Sequence, residues 1–173
     1  MKIELKSLKI YDSLSEETIA FTAYVYVNGK KVASAKNDGH GGSTYIHRYP
    51  NADPALLDSA ENYYKELPPT KYESNGKVIE IKQTIEDVID DLVYQAYNEK
   101  EKKKIEKKLN NNMIKGICHG DVNSFTITSW TGYTIPQLLA SPQGRATIRA
   151  KLLQLKSEKR PILNTNIPKE LFG

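Results

Sequence analysis

Asp38, His40 and His47 bring a carboxylate and two imidazoles into the short segment Asn37 to His47, together with Gly39, Gly41 and Gly42. In an extended segment the Asp-x-His spacing sets Asp38 and His40 on one side, and His47 can fold back across the glycines. Such a set could hold zinc or another divalent metal with a position open for water, so a metal-dependent hydrolase is one function class to carry forward. The other reading of the same residues is a hydrogen-bonded loop that fixes a turn. Glycine reaches positive φ and lets backbone approach a ligand, so the amides of the Gly-rich loop could also form a nest for an anion, with Ser43 and Tyr45 adding hydrogen-bonding groups. At least one of the three glycines is expected at positive φ, because the chain must turn sharply here.

Other chemistry-bearing patterns are incomplete. His40-Gly41-Gly42 matches the donor half of an esterase oxyanion hole, but the chain has no Gly-x-Ser-x-Gly elbow and no P-loop. Cys118 and His119 are neighbours, and neighbours on a strand face opposite ways, so a buried structural cysteine is the expectation. The run Glu99 to Lys108, with Lys102, Lys103 and Lys104, and the set Arg145, Arg149 and Lys151 could together offer an anion-binding surface. The glutamates of the first run pair with its lysines and weaken its field. Eleven tyrosines against three phenylalanines is a heavy load. Tyr24 and Tyr26 on one strand face, with Tyr45 and Tyr49 nearby, either form a contact patch or pack under the first long helix.

Positioning these groups falls to elements that the periodicity predicts. Ile3 and Leu5, then Ile19, Phe21, Ala23, Val25 and Val27, recur every second residue, and Asn28-Gly29 favours a two-residue turn. Three antiparallel strands are therefore expected near 2–10, 17–27 and 30–37. Asp53-Pro54 starts a short helix that Pro68-Pro69 stops, and 68–78 reads as an exposed connection with Asn75-Gly76 as a turn. Thr84 caps a long central helix whose apolar stripe fades from Asn98 to Lys104. Met113 to His119 and Val122 to Trp130 form a later hairpin, Thr134 and Ser141 start two helices, and the tail from about 160 is irregular. The class is α+β: an antiparallel sheet from an N-terminal meander and a later hairpin, packed with a long central helix and a C-terminal helix, in one domain over 1–173.

The order of a hairpin ending in Asn-Asp-Gly-His-Gly-Gly, a short helix, a lysine-rich helix and a second hairpin resembles that of small uncharacterised proteins of bacterial phages and mobile elements. The resemblance rests on residues 17–47 and 113–139. It implies a phage-type accessory protein, such as one that antagonises a host factor or a defence system.

Composition sets the remaining limits. A single cysteine excludes an intramolecular disulfide, no apolar run spans a bilayer, and the N-terminus alternates rather than forming a signal peptide, which together predict a cytoplasmic protein. Up to Asn98 there are 11 basic and 15 acidic residues, and from Glu99 onward 14 and 6, so the halves carry −4 and +8. The expectation is a non-enzymatic binding protein without a cofactor, contacting its partner through the Gly-rich loop and the basic helices. A protein partner ranks first, an anionic small ligand or weak, sequence-independent nucleic-acid binding next, and no membrane.

Overall fold

Ile3 and Leu5 share one parity along the first strand, whereas Leu8 and Ile10 share the other. In the computed structural model, which describes residues 1–74 and 77–173, a β-bulge resolves the conflict. Strand β1 (Ile3–Ile10) pairs Lys6 with Tyr24 and Lys9 with Thr22 of β2 (Phe21–Val27), so one extra residue is absorbed around Ser7, which adopts φ 52°. The shift keeps all four apolar residues against the core and leaves Lys6 and Lys9 together on the opposite face. Asn28 and Gly29, both at positive φ, turn the chain into β3 (Lys30–Asn37), as the type I′ preference predicts.

A fourth strand, β4 (Tyr45–Arg48), pairs antiparallel with β3 and completes a sheet of order β1-β2-β3-β4. The second strand begins later than the alternation suggests. The amides of Glu16, Glu17 and Thr18 all point at the carbonyl oxygen of Gly39, 3.0–3.2 Å away, and so cannot enter a ladder.

Helix α1 (Pro54–Glu66) starts where Asp53 accepts from the Ala55 amide, and helix α2 (Ile85–Lys115) starts at a reciprocal cap between Thr84 and Asp87. Leu57 and Ala60 of α1 and Ile85, Ile89 and Val93 of α2 pack with Phe21, Ala23, Val25, Ala33 and Ala35 on one face of the sheet. Each fully buried large side chain there contributes about 1.5–3 kcal/mol. Strands β5 (Thr70–Ser74) and β6 (Lys77–Ile81) form a separate hairpin in the stretch read as an exposed connection, with Val78, Ile79 and Ile81 open to solvent. The expected turn at Asn75-Gly76 lies outside the described residues.

The chain divides into two compact units, Met1–Glu99 and Lys100–Gly173, and the division falls in α2 where its apolar stripe fades. In the second unit, β7 (Gly116–Gly120) and β8 (Phe125–Ser129) form their own two-stranded sheet, followed by α3 (Ile135–Leu139) and α4 (Pro142–Ser157). Met113 to Lys115 belong to α2 rather than to the hairpin, and the Met113 carbonyl accepts from the side-chain amides of Asn164 and Asn166. The tail has little regular structure, yet Ile167 and Leu171 join Ile117, Ile135, Ile148, Leu152 and Leu155 in the core of this unit.

Candidate functional site

Asn37, at the end of β3, organises the Gly-rich loop. Its buried side-chain oxygen accepts from Thr18 Oγ1 and the Gly39 amide, at 2.8 and 2.9 Å, and its nitrogen donates to the Gly42 carbonyl and to Thr44 Oγ1. The His40 amide points at Asp38 Oδ1 (3.4 Å) and the Gly41 amide at Thr18 Oγ1 (3.3 Å). Three successive amides are thus committed inside the chain, which leaves them unavailable to the anion nest that the glycines suggested. Gly39 and Gly41 adopt positive φ, as expected, and a Cβ on Gly39 would lie 2.0 Å from the Leu14 carbonyl oxygen. Gly42 does not adopt positive φ, and like Ser43 it is exposed.

The loop is also fastened to α2. Buried Thr44 donates to Asp90 Oδ1 at 2.5 Å. Partial burial, with the neighbouring charges of Asp87, Asp91 and Glu86, pushes the Asp90 carboxyl above the ordinary Asp range, although the Thr44 hydrogen bond pulls the other way.

The two histidines separate. His40 Nδ1 lies 3.1 Å from Glu16 Oε2 at the surface, whereas His47 sits in β4 opposite Ser34. Among the described residues no three of His, Cys, Asp and Glu come together as metal ligands, so Asp38, His40 and His47 are not assembled as a set.

On the face of the sheet away from the core, strand register builds something else. One row across the four strands reads Lys6, Tyr24, Ser34, His47, and the next reads Lys9, Thr22, Lys36, Tyr45. Small Ser7, Thr22 and Ser34 leave a depression between the long side chains. The result is a groove of about 570 Å³, walled by Tyr24, Tyr45 and His47 with Lys9 and Lys36 and crossing all four strands. No carboxylate lines it, although this half of the chain is net acidic. Tyr24 and Tyr45 are 41% and 59% exposed, so Tyr24 belongs to a surface patch and does not pack under a helix. Lys31 Nζ stands 3.3 Å from the centre of the Tyr24 ring, Lys6 lies over Tyr26, and Lys36 Nζ is 5.8 Å from the Tyr45 ring.

Comparison with protein-family models, curated proteins and solved structures returns no match.

Of the residues singled out from sequence, Tyr24, Tyr45 and His47 meet in the groove, while Asp38, Gly39, His40, Gly41, Gly42 and Ser43 remain in the loop. In the second unit Lys102 and Lys103 are exposed on α2, and Arg145 and Arg149 are exposed on α4. Glu101 pairs with Lys104 at 2.6 Å and Glu170 approaches Arg145 at 3.7 Å, which offsets part of the basic field. Lys9, Thr22, Ser34 and Lys36 were not singled out. The signal that finds Lys9 is the change of apolar parity between Leu5 and Leu8, which demands a bulge.

Cys118 is buried on β7 and its thiol is pushed up by burial, the condition of an inert structural cysteine. His119 Nε2 lies 3.1 Å from Thr128 Oγ1. Burial and the charges of Arg160 and Lys151 hold its imidazole below the ordinary histidine range, with Glu158 opposing them. No helix among the described residues is long and apolar enough to cross a membrane.

Proposed function

We propose that this chain is a non-enzymatic binding protein that takes an anionic partner on the outer face of its N-terminal sheet, as a cytoplasmic accessory protein of the phage type. One observation supports this above the others: a groove across four strands combines Lys9 and Lys36 with exposed tyrosines and has no carboxylate in its lining. Lys36, beside the Tyr45 ring, and Lys9 present positive charge at a surface where a partner can replace water. The Gly-rich loop is fastened by its own hydrogen bonds at the end of this sheet, and β4, which follows it and pairs with β3, carries Tyr45 and His47 into the groove.

The test uses three fluorescent probes: an oligoglutamate peptide, an abasic deoxyribose-phosphate oligomer and an oligothymidylate of the same length. Anisotropy titrations against the full chain should show at least one probe bound with an affinity that falls as salt rises. The double variant Lys9→Glu/Lys36→Glu should bind that probe at least tenfold more weakly while melting within a few degrees of the unaltered protein. Binding of no probe, or binding that the double variant leaves unchanged, would sink the reading.

A further inference from the structure

The outer face of the sheet carries cations and flat rings in the same cross-strand rows. In the row Lys9, Thr22, Lys36, Tyr45 the strands are hydrogen-bonded neighbours, so adjacent positions are about 4.8 Å apart and the two lysines about 10 Å apart. The neighbouring row, with Tyr24 and His47, lies about 7 Å along the strands. A ligand that crosses this face meets a cation, a small hydroxyl, a second cation and an open aromatic face in succession.

We infer that the anionic partner is single-stranded nucleic acid, with phosphates held by Lys9 and Lys36 and a base stacked on Tyr45. This rests on the reading of the outer face as the working surface. Three alternatives in ligand chemistry are separated by the same residues. An acidic peptide satisfies the lysines but leaves the open face of Tyr45 without a role, Tyr24 being already covered by Lys31. A duplex keeps its bases stacked within itself and presents only phosphate to the rings. A single strand brings repeated negative charge and unstacked π-faces together, which is the combination that a basic groove with aromatic walls recognises without regard to sequence. Ser34, on the floor, offers a hydroxyl that can donate or accept, and Thr22, whose Oγ1 lies 3.2 Å from the Tyr11 hydroxyl, keeps acceptor capacity, so they suit base edges of any identity. Lys36 beside Tyr45 places one phosphate contact next to the stacked base, and Lys9, two strands away, reaches the adjoining phosphate.

The experiment compares oligothymidylate with the abasic oligomer of equal length and charge on the full chain. Oligothymidylate should bind at least tenfold more tightly, and Tyr45→Ala should remove about tenfold of its affinity while weakening abasic binding by much less. Tyr45→Phe should keep the difference, since the ring is what stacks. Tyr133→Ala, an exposed tyrosine of the second unit, should change nothing. Equal binding of the two oligomers by the unaltered protein, a comparison that needs no variant, would overturn the inference and leave the anionic reading standing. Binding of oligoglutamate alone would do the same. Binding of none of the probes would overturn both.

Discussion

The Gly-rich loop and the outer face of the sheet hold several of the same kinds of residue, His, Ser, Thr and charged groups, and they spend them in opposite ways. In the loop, hydrogen-bonding groups turn inward: Asn37 serves four partners, Gly39 gives its carbonyl to three amides, and Thr44 reaches Asp90. On the outer face, alternation along each strand points the polar and aromatic groups at solvent, where their partners are one another. A loop rich in glycine and histidine attracts attention as a site because its composition is unusual. The geometry shows that an unusual composition can equally be what a tightly hydrogen-bonded turn requires.

The largest effects that sharpen this contrast fall on stability. Gly39→Ala combines positive φ with a Cβ 2.0 Å from the Leu14 carbonyl oxygen, and should cost about 3 kcal/mol or more in urea unfolding. Asn37→Ala strands several polar groups in and around a buried turn and should cost about 2–3 kcal/mol. Gly42→Ala, with nothing within 4 Å of its Cβ and no positive φ, should stay within about 0.5 kcal/mol of the unaltered protein. Comparable losses at Gly39 and Gly42 would break the account of the loop as a structural anchor.

A smaller effect follows from Asp90, whose carboxyl is raised in the folded state above 3.8. The folded chain then holds this proton at a pH where the unfolded chain has released it. The associated stability is present below the ordinary value and is lost as pH rises through the raised one, so ionised Asp90 opposes folding near neutrality. Asp90→Asn keeps a side-chain oxygen for Thr44 and removes the charge. It should raise the melting temperature at pH 7, and the gain should shrink as the pH approaches 3.8. A lower melting temperature at pH 7 would show that the loop depends on the charge of Asp90 as well as on its acceptor.

Much of the scaffold was legible because short-range chemistry fixes it. Asn28-Gly29 needs positive φ at both positions, Asp53-Pro54 and Ser141-Pro142 start helices, and Thr84 finds its reciprocal partner three residues on. Strand β4 has no sequence signature, because only Ile46 among its four residues turns toward the core, too little to show a period. The β5–β6 hairpin was missed because its apolar residues do not alternate between a core and solvent. The loop's internal bonding could not be read because the amides that hold Gly39 come from 16–18, more than twenty residues away. The groove was hidden for the same reason: Lys9 and Lys36 reach one row only through two strand pairings and a bulge, and no local spacing encodes that meeting.

Amide chemical-shift mapping during an oligothymidylate titration tests the central claim most directly, since it locates the contact without altering a residue. The account predicts the largest shifts at Ser7, Lys9, Thr22, Tyr24, Ser34, Lys36, Tyr45 and His47, with little change at Asp38 to Ser43 beyond the hinge with β4. Shifts centred instead on the Gly-rich loop, or on Lys102, Lys103, Arg145 and Arg149, would contradict it, as would a titration that moves no resonance.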